Sequence, residues 1–314
     1  MIGRKSRLSS TQLTQRFLQP WQVAVSATVC AYIALCFATG TLKLHHWFLL
    51  IAVPAAAVSQ ERGRKFFRDF WPLFAFWLVY DRLRLIQPFL LDRVAVLWPY
   101  EVERWAFGWM AGGAMPAHAG RAWLGAHLDT IAGSSLSFFL QFIYFSHLFV
   151  LPAMLYYFWH RGHSRTDDRL LFINHIRSFT ALHFTGMFIY IVLPVAPPWW
   201  VSLHHFARPT TELIAQTKMT EAMDGAMVQG VIQSAAVWFA AVPSLHGAYP
   251  VLMLLLALKI RNRFVTAALI FYTIAMFAST VLLNQHYIID LIAGAILAFV
   301  CYLVFGRKAF ETGR

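Results

Sequence analysis

The sequence predicts an all-α membrane protein, a bundle of about eight transmembrane helices with amphipathic helices at the membrane surface. Hydrophobic residues make up 59% of the 314 residues, and charged residues only 13%, about half the share of a typical soluble domain. The apolar residues form long runs, and most basic residues form short clusters between these runs. Since a helix needs about 20 mostly apolar residues to cross the hydrocarbon core, the chain has material for several spans.

Eight apolar runs have the composition of membrane spans. The second run is short, and the third and fifth contain charged residues. The predicted spans are 21–40, 46–60, 66–91, 136–159, 172–194, 243–258, 264–283 and 286–305.

The positions of Lys and Arg agree with this series of spans. If the N-terminus is cytoplasmic, the inner segments contain 17 of the 26 basic residues and the outer segments contain 6, as the positive-inside rule requires. The formal net charge of +12 therefore indicates membrane topology and not nucleic-acid binding. We expect a cytoplasmic N-terminal segment (1–20), a single membrane-embedded domain (21–305) and a cytoplasmic tail (306–314).

Two predicted outer segments are long. Residues 92–135 contain four tryptophans and mixed charges, which is typical of amphipathic helices at a membrane interface. Residues 195–242 begin Val-Ala-Pro-Pro-Trp-Trp. The prolines are expected to end the preceding helix, and Trp199 and Trp200 suit the headgroup zone.

Two short motifs contain the residues with the clearest capacity for chemistry. The first is Val-Pro-Ser-Leu-His-Gly at 242–247, and the second is Asn-Gln-His-Tyr-Ile-Ile-Asp at 284–290. His286 and Asp290 are four residues apart, so on a helix they share one face. The carboxylate can then accept a hydrogen bond from one imidazole nitrogen and leave the other free as a nucleophile.

The topology places His246 at the same membrane surface as His286. Ser244 begins the sixth predicted span, and first-turn amides near it can point at an anion. Two histidines and an acid beside a helix N-terminus suit phosphoryl transfer. The plainer interpretation is that each histidine is an interfacial anchor, but an intramembrane carboxylate such as Asp290 is usually functional.

These motifs resemble the second and third signatures of the type-2 phosphatidic acid phosphatase superfamily: Pro-Ser-Leu-His, and some 40 residues later His-Tyr-x-x-Asp. The branch that contains the inositol phosphorylceramide synthases is the most similar. Three stretches of this sequence resemble that branch: Tyr-Ile-Val-Leu-Pro-Val-Ala-Pro-Pro-Trp at 190–199, Tyr80-Asp81 with Arg84, and Asn-Gln-His-Tyr at 284–287. The resemblance covers roughly residues 70–305.

The resemblance implies that the membrane-embedded domain is catalytic. His286 would be the nucleophile that forms a phosphohistidine, Asp290 its orienting acid and His246 the general acid, with no metal and no cofactor. The substrate would be a membrane lipid, with a lipid or small alcohol as a possible acceptor, and the active site would open on the non-cytoplasmic face. The sequence gives no indication of the oligomeric state.

The phosphate-binding cations are harder to assign. The superfamily usually has Ser-Arg shortly before the second histidine, but this chain has Ser279-Thr280, and the first superfamily motif is not found. Arg84 and Arg82 lie in the outer half of the third predicted span, where a lipid phosphate could pair with them. Pairing with Asp81 is the alternative. Together with Ser244 and Tyr80, these arginines are the predicted substrate-binding residues.

Three functions from different classes are therefore considered. The first is a lipid phosphotransferase that resembles inositol phosphorylceramide synthases, and the second is a lipid phosphatase that hydrolyses a phosphatidate- or polyprenyl-type phosphoester. A transporter or a haem-bearing protein is the distant third. Its polar groups or histidine pairs should lie near the bilayer midplane, whereas the two motifs of this chain are predicted at one membrane surface. The remaining histidines in predicted spans are interpreted as packed, hydrogen-bonded core residues: His147, His175 and His183.

Overall fold

The described part of the chain is helical. The computed structural model describes residues 20–40, 42, 46, 60–162, 166–217, 237–260 and 262–306. Within these ranges there are eleven α-helices and no strand. The helices are α1 (Pro20–Ala38), α2 (Gln60–Ile86), α3 (Leu97–Phe107), α4 (Pro116–Ala126), α5 (Ile131–Arg161), α6 (Thr166–Val192), α7 (Pro198–His204), α8 (Thr211–Gln216), α9 (Leu245–Ala257), α10 (Arg263–Leu282) and α11 (Ile288–Cys301).

Short turns of other helix types extend or connect these elements. A 3₁₀ turn continues α9, and a π-helical turn continues α11. Within the described residues, the 3₁₀ turns are Gln87–Arg93, Gly108–Ala111 and Leu258–Ile260, and the π-helical turn is Tyr302–Gly306.

Four helices of the described residues are long and apolar enough to cross a membrane. They are α1, α5, α10, and α11 together with its π-helical turn. The third and fifth predicted spans correspond to α2 and α6, each of 27 residues. The sixth corresponds to α9, which is short, and most of the second (46–60) lies outside the described residues. The all-α membrane class is confirmed, and the count of eight spans stays a prediction.

The chain divides into two compact units, Met1–Trp71 and Pro72–Arg314. The boundary falls inside α2, at its internal proline Pro72. Every residue of the candidate site belongs to the second unit.

The packing of α9 against α11 brings the two sequence motifs together. Gly294 of α11 lies so close to α9 that a Cβ built on it would be 2.1 Å from the carbonyl oxygen of Ser244. A Cβ on Gly247 of α9 would likewise be 3.1 Å from the Cα of Leu291. Further along the two helices, residues of α6 pack with residues of α9 and α11 in one buried hydrophobic cluster. Glycine thus permits an approach that any side chain would prevent.

The segment before α9 is fixed by backbone hydrogen bonds that link three distant loops. The backbone of Val195 pairs with Ala95 on one side and with Ala240 on the other. The Val195 amide donates to the Phe239 carbonyl over 2.9 Å, and the Ala241 amide donates to the Val195 carbonyl over 3.3 Å. These hydrogen bonds therefore fix the position of the segment directly before the first motif.

Trp199 and Trp200 correct the interpretation of the second outer segment. They leave only 2% and 0% of their surface exposed, inside a hydrophobic cluster with Leu140 and Tyr144 of α5. The preceding helix α6 ends at Val192, five residues before Pro197, so the two prolines do not end it, and both indoles pack in the protein interior.

We expect Gly294→Ala to destabilise the protein by about 1–3 kcal/mol, because α9 and α11 must separate to admit the methyl group. Thermal unfolding in detergent, followed by tryptophan fluorescence, measures the change. Gly125→Ala is the matched control, since a Cβ at that helical position meets nothing within 4 Å. Equal unfolding temperatures for the two variants would refute the close-approach explanation.

Candidate active site

The two motifs meet where α9 and α11 begin. The Ser244 hydroxyl caps α9 by accepting a hydrogen bond from the Gly247 amide over 3.2 Å. The Ser244 amide donates to the Asp290 carbonyl oxygen over 2.9 Å, which ties the starts of the two helices together. The Tyr190 hydroxyl donates to the Pro243 carbonyl over 2.8 Å. The first motif is thus held by α6 and α11 as well as by its own cap.

Asp290 lies in the first turn of α11 and has no exposed surface. Its Oδ2 accepts the Tyr287 amide over 2.9 Å and lies 3.3 Å from His286 Nδ1. His286 itself precedes the helix, since Tyr287 is the N-cap. The expectation that His286 and Asp290 share a helical face is therefore wrong in detail: the carboxylate reaches back from the helix to the residue before the cap.

The hydrogen-bond pattern assigns the protons on both imidazole rings. Asp290 as a carboxylate accepts from His286 Nδ1–H, which leaves the lone pair of a neutral ring on Nε2. His246 Nδ1 lies 3.0 Å from that Nε2, so His246 is the donor in this contact. A basic nitrogen held by a buried acid thus faces a proton donor, as nucleophilic attack with general-acid assistance requires.

Residues of α5 form the wall behind His246. The Tyr144 ring stacks on the His246 ring with centroids 4.6 Å apart, and the His147 ring meets it edge-on at 4.5 Å. His147 Nδ1–H donates to the Tyr144 carbonyl. The sequence interpretation of His147 as a packed, hydrogen-bonded residue holds, but it missed that this residue touches the candidate general acid.

The other two span histidines are core residues, as expected. His175 and His183 each donate from Nδ1 to a carbonyl four residues earlier in α6, over 3.0 and 2.7 Å. His183 Nε2 accepts from the Tyr249 hydroxyl over 2.9 Å. These bonds satisfy polar groups that would otherwise be buried without partners.

The predicted substrate-binding residues have different surroundings. Ser244 is fully buried and its hydroxyl caps α9. Arg82 donates to Asp81 over 2.6 Å, which is the alternative pairing considered for the arginines. Arg84 is half-buried on the same helix. Tyr80 stacks on Phe76 with centroids 5.5 Å apart. Contact of any of these four with substrate stays a prediction.

Glu103 was not among the site residues predicted from the sequence. This residue of α3 has no exposed surface, and its carboxylate accepts the Ile288 and Ile289 amides at the start of α11. One signal was present in the sequence: Glu103 is four residues after Pro99 and so lies on the face of α3 that is buried. No spacing rule connects it with a helix 185 residues later.

Comparisons with known proteins agree with the motifs. A sequence model described as the PAP2 superfamily matches residues 116–304. A phosphoinositol dihydroceramide synthase of Bacteroides thetaiotaomicron is 26% identical over 240 residues, which cover 74% of each chain. No solved structure matches the chain significantly.

Two fungal relatives match shorter regions. The catalytic subunit of the inositol phosphorylceramide synthase of Schizosaccharomyces pombe is 26% identical over 138 residues, 42% of this chain and 32% of the relative. An inositol phosphorylceramide synthase of Candida albicans is 26% identical over 164 residues, 51% of this chain and 33% of the relative. The chain thus matches about a third of each fungal protein.

Proposed function

Since this chain belongs to the PAP2 superfamily, we propose that it is a membrane phosphotransferase that moves a phosphoinositol head group onto a lipid alcohol through a phosphohistidine. That it is a membrane enzyme acting on lipid phosphoesters follows from the family and from the apolar helices. The observation that supports the finer proposal is the continuous contact of Asp290, His286 and His246.

In the first half of the reaction, His286 Nε2 attacks the phosphorus of a phosphoinositol lipid. An N–P bond forms, the P–O bond to the diacylglycerol oxygen breaks, and His246, which acts as an imidazolium protonated on both ring nitrogens, gives its Nδ1 proton to that oxygen. The Asp290 carboxylate stabilises the positive charge that develops on the His286 ring and keeps the ring oriented. Diacylglycerol leaves, and the phosphoinositol group stays on His286.

In the second half, a lipid hydroxyl attacks the phosphorus from the side that the leaving group vacated. His246, now a neutral imidazole with a free lone pair on Nδ1, accepts the proton of this hydroxyl as the new P–O bond forms and the N–P bond breaks. Both halves use the same residues in opposite order. Water in place of the lipid alcohol would give hydrolysis, so the proposed transfer requires that water be excluded at this stage.

The contact of the two histidines occupies the position that the phosphorus must take. Reacting atoms in a productive complex are about 3–3.5 Å apart, and His246 Nδ1 already lies 3.0 Å from the attacking nitrogen. The phosphorus must therefore take the place that His246 occupies. We infer that the substrate parts the two rings and that the proton on His246 Nδ1 then faces the leaving oxygen.

The substrate class rests on the relatives. Their names specify inositol phosphorylceramide or phosphoinositol dihydroceramide synthases, so a phosphoinositol donor and a ceramide-type acceptor are the substrates to test first. The basic inner segments of the sequence support a cytoplasmic location for both termini and a site that opens on the opposite face.

His286→Ala should abolish turnover of every substrate, because no other group replaces the nucleophile. His246→Ala should slow a substrate with an alkyl leaving group by about 10²–10⁴-fold, and slow an aryl analogue much less, because an aryl oxygen leaves without a proton. Steady-state rates with the two substrates measure this. The exposed His160 provides the control variant His160→Ala. Turnover by His286→Ala would remove this residue as the nucleophile.

The identity of the acceptor is tested with purified protein and phosphatidylinositol labelled in the head group. In the presence of ceramide we expect a labelled phosphoinositol ceramide and an equal amount of diacylglycerol, and His286→Ala should form neither. Chromatography of the lipid and aqueous fractions separates the products. Release of water-soluble inositol phosphate at the same rate with and without ceramide would assign hydrolysis instead. With phosphatidate as a second substrate, release of free phosphate at a rate that ceramide does not change would have the same meaning.

A further inference from the structure

Three successive amides at the start of α11 are each held by a carboxylate. The Tyr287 amide donates to Asp290 Oδ2 over 2.9 Å. The Ile288 amide donates to Glu103 Oε1 over 2.9 Å, and the Ile289 amide donates to Glu103 Oε2 over 3.1 Å. The first amides of a helix have no acceptor within the helix, so these bonds replace those that the helix cannot supply.

Glu103 is an unusual residue for this position. It comes from α3, a different part of the chain, and it has no exposed surface. Burial raises the pKa of Glu103, and the nearby Asp290 raises it further, whereas the two amide bonds lower the pKa; the net result is a pKa above the ordinary value. Burying a carboxyl group is unfavourable unless it is well paired. The amides and the positive end of the α11 dipole supply that pairing.

The neighbours of Glu103 hold the same turn of α11. The Tyr287 ring has no exposed surface and packs against Met115 and Ala117, with Tyr100 of α3 at the edge of this cluster. The outer segment that contains α3 and α4 therefore contacts α11 both by hydrogen bonds and by packing. Asp290 and His286 lie in or directly before the turn that is held in this way.

We propose that Glu103 is a positioning residue that fixes the first turn of α11 and so sets the alignment of Asp290 with His286; this rests on the proposed function of that pair. Glu103 does not take part in the chemistry itself, since both its oxygens are occupied by amides. Its hydrogen bonds act on the turn that contains Asp290. His246 belongs to α9, whose start is held by its own cap and by Tyr190 in addition to the Ser244–Asp290 backbone bond, so these two supports remain when Glu103 is replaced.

The substitutions Glu103→Gln and Glu103→Ala test this role. Glutamine keeps one acceptor oxygen, and alanine leaves both amides unpaired. We expect kcat to fall by about 10- to 100-fold for Glu103→Ala, because small misplacements of reacting groups have effects of this size, and by less for Glu103→Gln. KM should stay unchanged in both variants, since Glu103 does not touch substrate. Glu101, exposed on the same helix, provides the controls Glu101→Gln and Glu101→Ala.

The dependence on the leaving group separates an effect on the nucleophile from an effect on the general acid. If Glu103 acts through Asp290 and His286, its variants should lose the same factor with alkyl and aryl leaving groups, as Asp290→Asn should. A selective loss with the alkyl substrate, as expected of His246→Ala, would overturn the proposal. So would a kcat of Glu103→Gln equal to that of Glu101→Gln, whether or not Glu103→Ala folds.

The same series shows which of the two proposals fails. If His286→Ala abolishes turnover while the Glu103 variants match the Glu101 controls, the positioning role is wrong and the proposed function stands. If His286→Ala retains turnover, the proposed function is wrong and the role of Glu103 in it falls as well.

Discussion

A carboxylate with no access to solvent governs the arrangement of this site. Asp290 is fully buried, and a buried charge is tolerated only where hydrogen bonds and a partner replace the lost water. The Tyr287 amide and the His286 ring provide them. The consequence is chemical: the proton of a neutral His286 must lie on Nδ1, so the lone pair on Nε2 points at His246.

The fold makes this contact possible because the starts of α9 and α11 lie close enough for a hydrogen bond between their backbones. The glycines at 247 and 294 allow α9 and α11 to approach, and the Ser244 amide bonds to the Asp290 carbonyl. Segments outside the two helices then hold both helix starts in place. Val195 holds the loop before α9, and Glu103 holds the first turn of α11. The proposed catalytic residues lie at the starts of α9 and α11, whereas part of their alignment comes from segments outside these two helices.

How much of the site the sequence predicted depended on how far apart the interacting residues are in the chain. His246, His286 and Asp290 were predicted as site residues because short motifs contain their residue types at fixed spacing, and the structure brings the three into contact. The helical class followed from the apolar runs, but the charges in α2 and α6 keep the span count open. Glu103 and Tyr144 were missed because their partners lie far away in the chain. Trp199 was misplaced because composition does not tell an indole buried in protein from one facing headgroups.

The position of the phosphoryl group on the trapped enzyme tests the central claim most directly. Purified protein is mixed with labelled phosphoinositol lipid, quenched in alkali before the acceptor is added, and digested for mass spectrometry and phosphorus NMR. The account predicts phosphohistidine at His286 with phosphorus on Nε2, because Nδ1 is bonded to Asp290. Phosphorus on Nδ1, on His246, or on no histidine during productive turnover would contradict it.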